Sequence, residues 1–142
     1  MKIGDPKQLL NPYDWLPGYG ESKVDFYSDG LDVIVDITYD GIGSNAGEFL
    51  SVKRELCFKN VSCLIKLPFP ERGVFEFVDD ASGLALGVLT EFKKSELLEG
   101  RQAGFETERY KHYSIQFLSE NLSLHLVAEA YILSEEIPLS VN

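Results

Sequence analysis

The sequence predicts a mainly β protein, either an antiparallel β-sandwich or a strongly bent sheet, with one short helix. Three observations carry this expectation. Apolar and polar residues alternate over long stretches, at 31–39 and again at 110–134, and successive side chains of a strand point to opposite faces. Glycine, proline, asparagine and aspartate gather between these stretches at short intervals, as turns between strands require. The one helical signal is the segment SELLEG at 95–100, so no helices intervene between strands as in a parallel α/β fold. A chain of 142 residues supports one core, and 1–142 reads as a single β-rich domain.

Residues 1–22 contain Pro6, Pro12, Pro17, Gly18 and Gly20. That density opposes a long strand or helix, so the segment reads as an arm that packs Trp15 on the body. Residues 24–27 pair with a strand at 31–39 around the turn Ser28-Asp29-Gly30. In that strand Leu31, Val33, Val35, Ile37 and Tyr39 form an apolar face, and Asp32, Ile34, Asp36 and Thr38 a largely acidic one. Residues 40–47 (DGIGSNAG) are a connection.

Residues 49–67 read as a second hairpin turning at Lys59-Asn60, which places Leu56 opposite Cys63 and puts the apolar positions of both arms on one face. The thiols of Cys57 and Cys63 then project to opposite faces and stay free. Pro68 and Pro70 end this arm. A short strand at 74–78, a loop at 79–83 and a strand at 84–92 follow, and Ser95 caps the helical turns of 95–100. Residues 101–109 are a loop. The last hairpin, 110–134, turns at Glu120-Asn121, and 135–142 is a tail. The expectation is about six to eight strands.

Composition narrows the function. The net charge is -10, which argues against nucleic acid, since phosphate binding needs clustered lysine and arginine, and against an anionic membrane surface. No apolar run reaches the ~20 residues of a membrane helix, and the first ten residues lack the apolar centre of a secretory signal. A cytoplasmic protein is expected. No serine-nucleophile elbow and no phosphate-binding glycine loop occurs, and no cofactor is implied.

Two sets of residues could still carry function. The turn at Glu120-Asn121 sets His112 opposite Glu129 and Gln116 opposite His125. His112, His125 and Glu129 could then serve as an acid–base group or part of a metal site, on a face otherwise expected to be wet. The other set is an interaction surface. Asp32 and Asp36 supply an acidic strand face, and Tyr13, Trp15 and Tyr19 crowd the N-terminal arm, where aromatic residues suit either an interface or the cover of an open end of the core.

Three segments together, LCFKNVSCLIKL (56–67), GVLTEFKKSELLEG (87–100) and HYSIQFLSENLSLHLVAEAYIL (112–133), resemble small β-rich bacterial proteins. Some of those are similar to immunity proteins of polymorphic-toxin and contact-dependent inhibition systems. The resemblance implies a cytosolic protein without enzymatic activity that binds a toxin domain, and it carries no functional residues with it. The leading expectation is a non-enzymatic protein-binding domain, an immunity-type inhibitor of a basic toxin, since an acidic surface accelerates encounter with a basic partner. Two alternatives stand beside it: a small metal-binding or hydrolytic domain using the histidine face, and a structural homo-oligomerisation module that pairs exposed sheet edges.

Overall fold

In a computed structural model, described over residues 1–16, 22–42, 49–71, 73–78, 82–101 and 109–139, eleven strands and one α-helix build two facing sheets. In chain order the strands are β1 (Lys2–Leu10), β2 (Lys23–Asp29), β3 (Asp32–Ile42), β4 (Phe49–Lys59), β5 (Cys63–Pro68), β6 (Glu76–Phe77) and β7 (Leu89–Ser95). The helix α1 (Glu96–Arg101) follows, then β8 (Lys111–Phe117), β9 (Leu122–Ala128), β10 (Ala130–Leu133) and β11 (Ile137–Pro138). One sheet has the order β5-β9-β8-β7-β1-β6, the other β10-β4-β3-β2, with β11 also on β4. The sheet curls strongly, in the manner of a half-barrel. The fold is therefore mainly β with a bent sheet and one short helix, as the alternation predicts. Among the described residues no helix is long and apolar enough to cross a membrane.

The core lies between the sheets. Val33, Val35, Ile37 and Tyr39 of β3 and Val52, Leu56 and Phe58 of β4 meet Tyr113, Ile115, Leu124 and Leu126 of β8 and β9. The rings of Phe58 and Tyr113 stand 5.6 Å apart and those of Tyr113 and Tyr131 5.7 Å apart, the spacing of favourable tilted and edge-on pairs. The β2–β3 hairpin forms as expected, closing on Asp29 opposite Asp32. Gly30 takes the left-handed conformation (φ 63) that such a tight turn needs. Leu31 sits on the turn tip, exposed, instead of opening the apolar face.

Four expectations are corrected. Residues 2–10 are not an arm but a strand, paired antiparallel with β7 along its length. Pro6 is tolerated there because, among the described residues, β6 pairs with Lys2 and Ile3 and no strand flanks Pro6 on the side away from β7.

The hairpin at 49–67 does not form. Both edges of β4 are taken, by β3 on one side and by β10 and β11 on the other. Asn60 (φ 51) turns the chain across to the other sheet, where β5 pairs with β9. Alternation tells which side of a strand faces the core, not which strand is its neighbour, so a corner between sheets and a hairpin share one pattern. Cys57 and Cys63 are free thiols, and their strands stand in different sheets.

The second arm of the last hairpin breaks at Glu129: β9 stays in the six-stranded sheet, and β10 joins β4 in the other. The turn itself is longer than two residues. A 3-10 turn at Leu118–Glu120 and a left-handed Asn121 (φ 49) carry the chain from Phe117 to its partner Leu122. This moves the register two residues along. His112 therefore faces Val127, and His125 faces Ser114.

Candidate functional site

The second face of β8 and β9 is not wet. His112, Ser114, Gln116, Ser123 and His125 are all buried, together with Thr90 and Phe92 of β7. Residues that follow β5 in the chain cover them. The ring of Phe75 stacks on His125 at 4.0 Å and lies 5.5 Å from His112. Phe77 meets Phe92 edge-on at 5.8 Å, and the amide of Gly87 donates to Gln116 Oε1 at 3.2 Å. The expectation of a solvated polar face is corrected: beneath this cover Gln116 Nε2 donates to Ser114 Oγ at 3.1 Å and Thr90 Oγ1 to the Val88 carbonyl at 3.1 Å, as buried polar groups usually do, while Ser123 Oγ is buried with no partner among the described residues.

Within the layer the shifted register makes His112 and His125 diagonal neighbours, and diagonal residues of adjacent strands lie within reach of ring side chains. His112 Nε2 is 2.8 Å from His125 Nδ1, and His112 Nδ1 is 2.7 Å from Ser95 Oγ. His125 Nε2 is bonded to Glu71 Oε1. One proton arrangement satisfies the whole chain. His125 Nε2–H donates to the Glu71 carboxylate, His112 Nε2–H donates to His125 Nδ1, and the Ser95 hydroxyl donates to His112 Nδ1. The Leu98 amide in turn donates to Ser95 Oγ at 3.0 Å, the helix cap anticipated for Ser95. Burial first, and the nearby His125 second, push the His112 pKa down to about 3. The ring is thus a neutral hydrogen-bond relay at neutral pH.

This relay resembles a catalytic array in composition but not in access. Ser95 is 4% exposed and its oxygen already serves the helix cap, so a substrate carbonyl has no approach to it. The ring nitrogens that would turn toward a shared metal are bonded to each other. Among the described residues no three histidine, cysteine or acidic side chains are grouped to hold a metal ion. Glu129 stands apart from both histidines. It accepts from Asn60 Nδ2 at 2.9 Å and from Arg109 Nε, at the corner where β9 hands over to β10. Glu71 and Ser95 are the partners that sequence reasoning missed. Ser95 was legible only as a cap and Glu71 only as part of a turn.

The other candidates distribute differently. Tyr13 and Trp15 pack against the core. Trp15 lies 5.3 Å from the Tyr39 ring with the Arg54 guanidinium 4.8 Å above it. Tyr19 lies outside the described residues. Asp32 accepts from Lys59 Nζ at 3.1 Å and from the Asn60 amide at 3.0 Å. The Asn60 amide above all, and then Lys59, hold its carboxyl below the usual range. Asp36 is placed otherwise. Its nearest cation, Lys53 Nζ, is 3.9 Å away, and one carboxylate oxygen is buried without a partner. Burial raises its pKa against the pull of Lys53, with Glu55 and Asp25 adding to the rise.

Asp36 belongs to a larger pattern on the outer face of the five-stranded sheet. Asp25, Asp36 and Glu55 stand directly opposite one another on three adjacent strands. Two residues along, Tyr27, Ile34, Cys57 and Ile132 form a second row across all four strands. Tyr27 is 46% exposed and Ile132 54% exposed. Beyond them lie Asp29 and the Asp32–Lys59 pair. An apolar row thus crosses the face between acidic flanks. Burial, followed by Asp36 and Glu55, raises the pKa of the Tyr27 hydroxyl, as in a field of negative sign. The acidic half of this face was visible in Asp32 and Asp36. The apolar half was not, because its four members come from four strands. No protein-family model, curated protein or solved structure matches the chain.

Proposed function

We propose that this protein is a non-enzymatic binding domain that uses the outer face of its five-stranded sheet to hold a basic protein. The row Asp25–Asp36–Glu55 carries the reading. Like charges directly opposite on neighbouring strands repel, and among the described residues Lys53, at 3.9 Å from Asp36 and 3.7 Å from Glu55, is the ion-pair partner that offsets them. A partner that places lysine or arginine over this row gains what the free protein lacks. The exposed Tyr27 and Ile132 beside it supply apolar anchors for the centre of such an interface. A cationic toxin domain, with this chain as its immunity-type inhibitor, is the concrete partner class that this charge and the resemblance favour.

The test uses affinity capture followed by measurement on the purified partner. The wild-type chain should retain a basic protein whose affinity falls steeply with salt. The Asp36→Lys/Glu55→Lys double variant should lose about tenfold or more in association rate. Ile132→Asp should raise the dissociation rate instead, because buried apolar anchors act on lifetime. A partner held equally by all three chains, or one indifferent to salt, would remove the proposal.

A further inference from the structure

β2 and β5 are terminal strands of different sheets, and they run side by side without pairing. Among the described residues no strand pairs with the outer edge of either. Two cavities occupy the gap. One, of about 210 Å³, is bordered by Ser28, Leu31 and Val33 on one side and Cys63 and Leu64 on the other. The second, of about 290 Å³, lies between Val24 and Phe26 of β2 and Lys66 and Leu122. The seam is tied at its ends, by the Val61 amide to the Leu31 carbonyl at 2.7 Å and by Ser22 Oγ to Ser119 Oγ at 3.4 Å. Between the ties, among the described residues, the bridge is the Lys66 ammonium 5.9 Å over the Phe26 ring.

The backbone groups facing this gap follow from the register. In an antiparallel pair alternate residues exchange both hydrogen bonds with the partner strand, and the residues between them aim theirs away. Asp29 and Asp32 close a two-residue turn as a bonded pair, so Val24, Phe26 and Ser28 present their amides and carbonyls to the seam. On β5 the Phe69 amide bonds the Asn121 carbonyl at 2.8 Å. In the Cys63↔Val127 register this leaves Leu64 and Lys66 facing the seam in the same way. Two rows of unfilled backbone groups thus face each other, and such edges recruit extended chain.

We propose that the seam between β2 and β5 takes an extended segment of a partner protein as an added strand, with basic residues alternating with apolar ones. Every second side chain of such a strand would point to the interior that Val24, Leu64 and Leu122 already line, which selects apolar residues there. The other side chains would emerge among Asp25, Asp32 and Glu120, with Lys66 the one base on the lining, which selects lysine or arginine. β2 and β5 run in opposite directions, so the added strand is antiparallel to one edge and parallel to the other. This surface meets the outer face of the five-stranded sheet at Asp25 and Asp32, but its backbone edges do not involve the Asp36, Glu55 and Ile132 positions on which that face is tested.

Amide hydrogen exchange on the full chain tests this with synthetic peptides of about eight residues. The first alternates valine with lysine, the second alternates valine with glutamate, and the third is the valine–lysine peptide with every backbone amide methylated. The first peptide should slow exchange at Val24, Phe26, Ser28, Leu64 and Lys66 by about tenfold or more, and the other two should not. Phe26→Pro removes one seam-facing donor without touching the β3 ladder and should weaken binding of the first peptide. The proposal is overturned if these five amides are already protected in the free protein. It is equally overturned if the methylated or glutamate peptide protects as well, or if protection without peptide rises with protein concentration, which would make a second copy the occupant. Ile132→Asp should leave the peptide result unchanged, so failure at the seam and failure of the outer-face proposal are read separately.

Discussion

Lowering the pH should weaken the fold through one residue, His112. In the folded protein its ring is fully buried and its pKa stands at about 3. In the unfolded chain an imidazole takes the ordinary value of about 6.5. Between these two values the unfolded state binds one proton that the folded state refuses. Stability is therefore complete above the unfolded value and falls as the pH drops toward the folded one, with a limiting slope of about 1.4 kcal/mol per pH unit. Integrated from pH 7 to pH 5, the loss is about 2 kcal/mol. His112→Gln keeps a polar side chain between Ser95 and His125 and removes the titration. Urea unfolding of both chains at pH 7 and pH 5 gives the comparison, because carboxylates contribute to both. The variant should be less stable throughout, yet lose about 2 kcal/mol less than the wild type on acidification. Equal losses in the two chains would mean that His112 takes up its proton while folded, and the buried neutral relay would be wrong.

Three further outcomes are expected. Glu71→Ala leaves the His125 Nε2–H without its acceptor in a half-buried place and should cost about 1–3 kcal/mol in urea unfolding, most of which Glu71→Gln restores. Gly87 holds φ +80, and a Cβ there would stand 2.4 Å from Tyr13 Cε2. Gly87→Ala should thus lower stability by at least about 1–3 kcal/mol, and a thermal midpoint equal to that of the wild type would contradict the Tyr13 packing. Leu126 is fully buried at the centre of the core, and Leu126→Ala should cost about 2–5 kcal/mol.

The sequence was most readable where local chemistry decides the outcome. The alternation of Val33, Val35, Ile37 and Tyr39, the turn before them and the Ser95 cap all form as the residues dictate. It was least readable where a neighbour decides. Pro6 argued against a strand, but only a strand flanked on both sides at that point would have refused it. Asn60 had the composition of a hairpin turn and serves as a corner between sheets, a choice set by which strands reach the edges of β4 first. The histidines were recognised, but their pairing depends on the length of one turn. A two-residue error there exchanged Val127 for Glu129 as the partner of His112 and hid the His112–His125 contact. The cover over them was out of reach, because the short strand expected at 74–78 does not say which face Phe75 will meet, and Glu71 read only as part of a turn.

The persistence of three opposed carboxylates on a folded sheet is a question of magnitudes. A like-charged pair directly across two strands costs a few tenths to about 1 kcal/mol, so Asp25–Asp36–Glu55 costs no more than about 2 kcal/mol before Lys53 offsets part of it. On the opposite side of the same strands Val35, Ile37, Leu56 and Phe58 are fully buried, and each contributes roughly 1.5–3 kcal/mol of apolar burial. The core side of β3 and β4 can therefore hold the outer side in an arrangement that the outer side would not choose by itself. The corner reinforces this. The Asn60 amide and the Lys59 ammonium fix Asp32, and the Asn60 side chain fixes Glu129, so β3, β4 and β10 are held together at the end of the face next to the Ile132 row. The face is thus presented as a rigid surface whose charges are not mutually satisfied, and a surface of that kind loses little entropy when a complementary partner arrives.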